Sequence, residues 1–261
     1  MGFGVGTFGT LIGAGGGFLL VPILLLIHPH LAPVKIATMS LAVVLANAGS
    51  GSVSYYRLRR ADYRSGAVLA LATLPGAILG AVFVDRVPRH AFDVILGLVL
   101  LAVSALLVFR PRRRLGLLTG APLVAAREVR DSDGKVYRFR FNLGLAALLS
   151  LGIGFLSSLL GIGGGIIHVP LLIIFFEFPA HVATATSHFV LTVMAGAGTV
   201  THLVRGDFAG VVVQTLALAL GVLVGAPFGA ALSRRVDAHI IVRLLAVGLA
   251  VVAVRLLIAG P

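Results

Sequence analysis

Apolar residues run along the chain in blocks of about twenty, the length that crosses a bilayer core. Eight such segments can be read, at 3–27, 36–56, 66–84, 91–109, 143–176, 182–204, 210–232 and 239–258. Between the fourth and the fifth, RPRRR at 110–114 opens a polar stretch. There REVRDSDGKVYRFRF sets Asp131-Ser132-Asp133-Gly134 between two alternating runs, a pattern that predicts a small β-hairpin. The expected fold is an all-α integral membrane protein divided into 1–109, a basic linker at 110–142, and 143–261.

The chain also resembles itself. GAGGGFLLVP at 13–22 matches GIGGGIIHVP at 161–170, ATMS at 37–40 matches TATS at 184–187, Asp62 matches Asp207, GAILGA at 76–81 matches GAPFGA at 225–230, and His90 matches His239. The offsets stay between 145 and 149 and the order is kept, which makes duplication of a four-segment unit the strong reading. Repeated halves with matching interruptions are typical of secondary transporters.

Each interruption is glycine-rich. Gly15, Gly16 and Gly17 precede Pro22, and Gly163, Gly164 and Gly165 precede Pro170. Backbone entropy and the missing proline N–H oppose a continuous helix there. Segment 143–176 would measure about 51 Å as one helix, against a core of roughly 30 Å, so a discontinuous or re-entrant unit is expected. That unit favours inverted halves. A short helix after each break would offer free N–H groups and partial positive charge, which suits an anion. Gly76 and Gly80, and Gly221, Gly225 and Gly229, at four-residue spacing, are assigned to helix packing.

Composition sharpens this picture. The chain is 59% hydrophobic and 11% charged, far from a soluble domain with about 25% charged residues. It has no cysteine, which excludes disulfides, thiolate metal sites and cysteine nucleophiles. Of the net charge of +12, half falls between Arg110 and Phe141, a topology signal that places the linker and Arg57, Arg59, Arg60 and Arg64 in the cytoplasm. The start, MGFGVG, lacks the basic region and cleavage site of a secretory signal, so the first segment is expected in the mature protein. None of the nine carboxylates lies mid-span, which points away from cation transport and towards an anionic or neutral substrate.

The polar groups inside the spans are hydroxyls, amides and imidazoles. Ser40, Asn47, Gly51 and Ser54 share one face of the second segment; His181, Thr184, His188, Thr192, Thr199 and His202 share one face of the sixth. Such stripes fit a substrate path, with local Ser/Thr bonds to helix carbonyls as the plain alternative. The candidate binding residues are Gly15, Gly16, Gly17, Ser40, Asn47, Gly163, Gly164, Gly165, His168, Thr186, Ser187, His188, Thr192 and His202. His188 follows the ATS run directly and is either a group that changes charge near neutral pH or a fixed neutral donor.

GIGGGIIHVPLLIIF followed by HVATATS, and more loosely GAGGGFLLVPILLL with KIATMS, resembles the sulfite exporter TauE/SafE family of bacterial membrane permeases. The likeness covers nearly the whole chain. It implies export of sulfite or a small organosulfonate such as sulfoacetate across the plasma membrane. Several N–H and O–H donors and a modest positive potential would hold such an oxyanion without a fixed midplane arginine. The expected partners are a small anion and the lipid bilayer, with no nucleic acid, no cofactor and no resident metal; a homo-oligomer is compatible with the sequence. Two other classes compete: a metal permease reading His28, His30, His181 and His188 as ligands, and an intramembrane hydrolase built on Ser50.

Overall fold

The computed structural model describes residues 1–109, 123–233 and 238–258, and the RPRRR run lies outside them. The first half holds α1 (Gly2–Ile12), α2 (Gly17–Ile27), α3 (Pro33–Arg57), α4 (Tyr63–Phe83) and α5 (Arg89–Phe109). The second holds α6 (Leu143–Leu160), α7 (Gly165–Ile174), α8 (Ala180–Val204), α9 (Val212–Leu232) and α10 (Ala238–Ile258). Among the described residues six helices, α3, α4, α5, α6, α8 and α9, are long and apolar enough to cross a membrane. Their outward faces carry large apolar side chains such as Leu71, Leu148, Val213 and Leu220, as a lipid-facing surface requires. The chain is a multi-pass membrane protein.

Local chemistry sets the boundaries. Pro33 opens α3, where its missing N–H leaves nothing unsatisfied. The Asp62 carboxylate accepts from the Ser65 N–H at the start of α4, and the Asn142 side chain accepts from the Leu145 N–H at the start of α6. Both long first segments are broken as their glycines predict, two residues before the GGG runs begin. Helix α1 ends at Gly13 (φ 83°) and α6 at Gly161 (φ 66°), left-handed caps that a side chain would strain.

The halves interlock. Helix α1 packs along α9, and α6 packs along α4. The glycines assigned to packing make these seams: a Cβ on Gly221, Gly225 or Gly229 would run into the α1 backbone at Gly2, Phe3 and Thr7, and one on Gly76 or Gly80 into α6 at Leu151 and Phe155. Equivalent helices run antiparallel. Along α3 and α8, Leu41 meets Gly198, Leu45 meets Gly196, and Gly51 meets His188. Along α5 and α10, Gly97 meets Leu257, and the Ser104 hydroxyl donates to the Ala246 carbonyl. An inverted pair of halves requires this arrangement.

The predicted hairpin is present as β1 (Val124–Arg130) and β2 (Val136–Asn142), antiparallel, with Val124 opposite Asn142. Its turn is tied by the Asp131 carboxylate, which accepts from the N–H groups of Asp133 and Lys135, and by Gly134 at φ 82°. The hairpin is docked. Phe139 and Phe141 pack on Phe178 with ring centroids 4.3 and 4.7 Å apart, Arg60 pairs with Asp131 and Asp133, and the Ser132 N–H donates to the Leu58 carbonyl. Arg127 donates to the Ser65 hydroxyl at 2.9 Å and pairs with Asp62 at 3.4 Å, and the Asp62 N–H donates to the Thr186 hydroxyl.

Arg60-x-Asp62 has its repeat in Arg205-x-Asp207, and that turn is latched differently. Asp207 accepts from His202 Nδ1 at 2.8 Å and from Arg205 Nε at 3.2 Å, Arg205 also pairs with Asp85, and Lys35 Nζ donates to the Asp207 and Ala209 carbonyls.

Two tests follow from this packing. Gly80→Leu leaves no room between α4 and α6, and overpacking typically costs about 1–3 kcal/mol; it is expected to remove the monodisperse detergent-solubilised species on size exclusion, whereas Leu79→Ala, on an exposed site, keeps it. Arg127→Ala is expected to speed hydrogen exchange at Val124–Asn142 while leaving α6 and α8 protected.

Candidate functional site

The two broken segments cross at the centre of the molecule. A Cβ on Gly17 would sit 2.5 Å from the Ile162 carbonyl, and one on Gly165 would sit 2.5 Å from the Gly13 carbonyl. Gly15 and Gly163 both lie against Val44 of α3, and Gly15 also against Leu191, the residue equivalent to Val44 on α8. Ser40 Oγ donates to the Gly161 carbonyl at 2.5 Å, and its repeat Ser187 makes a long 3.5 Å contact with the Gly13 carbonyl. These serines thus serve the last carbonyl of the opposite half's first helix, which would otherwise be left bare in an apolar interior.

Beside the first break lies a polar cluster. The Thr10 hydroxyl donates to Asn47 Oδ1 at 3.0 Å, and the Tyr55 hydroxyl donates to the Thr10 carbonyl at 2.9 Å. The His188 ring packs edge-on to Tyr55 with centroids 5.3 Å apart and lies against the bare face of Gly51. Asn47, Thr10 and His188 are fully buried. Asn47 Nδ2 and both ring nitrogens of His188 lack a hydrogen bond of good geometry; the Thr184 carbonyl, one turn back on α8, is an acceptor near the His188 ring. Asn47 Nδ2 and the Gly16 nitrogen both pack on the bare face of Gly9, within 3 Å of where its Cβ would be. The N–H groups of Gly16, Gly17 and Phe18 have no acceptor among the described residues. Buried donors without partners are costly, and here they converge on the N-terminus of an 11-residue helix.

The duplication shows what is special here. Thr10, Asn47, Gly51, Tyr55 and His188 have as repeat counterparts Ser158, Met194, Gly198, His202 and Leu41. The second set repeats one of these contacts, with Gly198 against Leu41 and the Ser158 hydroxyl as Gly51 is against His188 and Thr10, while His202 turns to Asp207 instead. Two of its polar members are apolar, Leu41 and Met194. One scaffold therefore carries two equivalent places: the first has an amide and an imidazole, and the second the unpartnered Ser157 and Ser158 hydroxyls.

The remaining sequence candidates divide. Gly164 touches Met194 and Ser157, and His168 bonds the Ser150 hydroxyl at 3.2 Å, with its Nδ1 free. His168, Gly164, Gly165, Thr73 and Ser187 border a cavity of about 10 Å³, space for one water. Thr192 bonds Ser52 at 3.0 Å and so joins α8 to α3. Thr186 is turned towards Asp62, beside Tyr55 of the cluster, whose ring packs with Ala61 and Ala185, and His202 is turned towards Asp207 at the other end of α8. Gly9, Thr10 and Tyr55 belong to the cluster without a sequence mark beyond Tyr55 lying eight residues after Asn47, on its face. Ser50 donates to the Leu223 carbonyl on α9. No three His, Asp or Glu side chains among the described residues come together as a metal site.

Comparison with known proteins extends over the whole molecule. The family model described as "Sulfite exporter TauE/SafE" matches residues 1–256. A Bacillus subtilis protein named "Probable membrane transporter protein YunE" is 29% identical over all of this chain and 96% of its own length. A protein of Methanocaldococcus jannaschii, also named as a probable membrane transporter, is 26% identical over 78% of this chain and 70% of its own length. No solved structure matches the chain. The motif likeness of the two glycine breaks and this full-length match agree: the chain belongs to the sulfite exporter TauE/SafE family of membrane transporters.

Proposed function

We propose that this protein is a secondary transporter that exports a small sulfur-containing anion, sulfite or an organosulfonate such as sulfoacetate, across the plasma membrane. The observation that carries the reading is a set of buried donors beside the first break: Asn47 Nδ2 and the Gly16 and Gly17 N–H groups, which lack partners among the described residues, and the His188 ring on Gly51, with the Thr184 carbonyl near it. An oxyanion with several acceptor oxygens satisfies such a set. No arginine or lysine bonds the cluster among the described residues, so the anion is held by dipoles and released without breaking an ion pair. The family supports transport; the sulfur anion and the outward direction are the reading of this site.

The crossing of the breaks supplies the moving part. Helices α2 and α7 are short, joined to α1 and α6 through glycine, and braced by serines from the opposite half. A tilt of one half against the other moves the α2 N-terminus relative to His188 on α8, which opens or closes the donor cluster. Each half contributes to it, Thr10, Asn47 and Tyr55 from the first and His188 from the second.

Purified protein in liposomes, offered sulfite, sulfoacetate, taurine, sulfate and thiosulfate, tests the reading directly. Uptake or counterflow of a sulfur oxyanion is expected, and inactivity towards the whole panel would overturn it. Asn47→Leu removes a donor to an anion, worth roughly 1.5–3 kcal/mol, and is expected to weaken apparent affinity by about tenfold or more while the protein stays monodisperse. His188→Gln keeps a neutral donor and is expected to keep transport and its pH profile between about pH 5 and 8, whereas His188→Leu loses it. A profile flattened by His188→Gln would show instead that the ring changes charge during transport.

A further inference from the structure

A second cavity lies away from the donor cluster, on the flank formed by α2, α5 and α10. Its volume is about 440 Å³, within the roughly 300–1,000 Å³ of ligand pockets. Leu19, Ile23, Leu26, Val251, Val252 and Leu256 make an apolar wall, and Arg89, Asp93 and Arg255 are its charged members. Because α5 and α10 run antiparallel, the first turns of α5 and the last turns of α10 belong to the same end of the bundle. Phe109 leads from α5 into the basic linker, so this is the end of α5 away from that linker.

Two arginines against one aspartate leave the lining with one uncompensated positive charge. Its location is Arg255. Arg89 and the buried Asp93 satisfy each other, with Arg89 Nε donating to Asp93 Oδ2 at 3.0 Å, and the other Arg89 nitrogens donate to the carbonyls of Leu25, Pro29 and Leu31. Arg255, in the last turn of α10, is exposed, and among the described residues it has neither a hydrogen bond nor an ion pair. A guanidinium on the lipid-facing side of an apolar helix is costly unless an anion or water meets it. The cavity therefore combines one free guanidinium with an apolar wall that a polar ion would leave unfilled.

We propose that this cavity is a binding site for an anionic phospholipid, phosphatidylglycerol in chemical class. One acyl chain lies along Ile23, Leu26 and Val252, and the two unesterified phosphate oxygens accept from Arg255, the paired geometry that a guanidinium fits. Phosphatidylcholine and phosphatidylethanolamine offer the same phosphate, but each brings a cation to a lining that is already positive, which offsets part of the attraction. A glycerol headgroup brings none. The wall favours a lipid over a free anion, because only an acyl chain removes that apolar surface from contact with polar surroundings. The bilayer supplies the occupant directly, and basic pockets between membrane helices suit anionic headgroups.

Native mass spectrometry of the full chain, titrated in detergent with phosphatidylglycerol, phosphatidylcholine and phosphatidylethanolamine of matched acyl chains, tests the proposal. Phosphatidylglycerol is expected to bind at least fivefold more tightly than either of the others. Arg255→Gln is expected to remove that preference, and Ile23→Trp, which fills the groove, to weaken binding of all three lipids. Arg86→Gln, at an exposed position of the same end outside the cavity, is expected to keep the preference. Should one cavity variant fail to fold, the other still reads the site. Equal binding of the three lipids, or a preference that survives Arg255→Gln or is lost equally in Arg86→Gln, would overturn the assignment. So would a dimer in the lipid-free protein that Ile23→Trp dissociates, since a second copy would then be the occupant.

Discussion

The close crossing of two glycine-rich breaks is the constraint on which the other features rest. Gly17 leans on the Ile162 carbonyl and Gly165 on the Gly13 carbonyl, contacts that a side chain would forbid. Once the breaks cross, each first helix is carried over to the other half, so that α1 runs along α9 and α6 along α4. The bare carbonyls at the two helix ends are then served by Ser40 and Ser187, again from the opposite half. Polar backbone at membrane depth is tolerated only where protein or water satisfies it, and here it is the partner repeat that does so. Neither half can close its own broken segment.

Duplication produces the scaffold twice, and the functional chemistry comes from where the copies differ. Leu41 and Met194 make the second site apolar in two of the places where His188 and Asn47 make the first one polar. The same divergence appears at the two ends. Asp62 is held by Arg127 of the inserted hairpin and by the Thr186 hydroxyl, whereas Asp207 is held by His202, Arg205 and Lys35. The hairpin is thus an added clasp on one end only, and the equivalent end manages with side chains of the repeats themselves.

Much of this was legible in the residues. Block length placed eight apolar segments, six of which contain, among the described residues, a helix long and apolar enough to cross, the GGG-x4-P recurrence marked the breaks, and four-residue glycine spacing marked packing faces without saying which helices they meet, because each signal has a one-dimensional period tied to helix geometry. The turn chemistry of Asp131 to Gly134 gave the hairpin. Less legible was the use of each polar group. Helical spacing placed Thr192, His188 and His202 on one face, yet they meet α3, the donor cluster and Asp207 respectively, since a 25-residue helix passes several neighbours along its length. Thr10 lies in an apolar run, and its role depends on Asn47, 37 residues on, a pairing made where α1 meets α3. Arg127 looked like linker charge because nothing local points it at Asp62.

The interlocked, antiparallel arrangement of equivalent helices is tested most directly by cross-linking, since the chain has no native cysteine to interfere. Ser52 and Thr192 have their hydroxyl oxygens 3.0 Å apart across α3 and α8. A Ser52→Cys/Thr192→Cys protein is predicted to form an intramolecular disulfide under mild oxidation in membranes. Ser40→Cys/Ser187→Cys, repeat-equivalent positions that would be level if the halves were parallel, lie roughly 20 Å apart along the helix axes at about 1.5 Å per residue and are predicted to stay reduced. Cross-linking of the Ser40/Ser187 pair with none at Ser52/Thr192 would contradict the inverted, interlocked account.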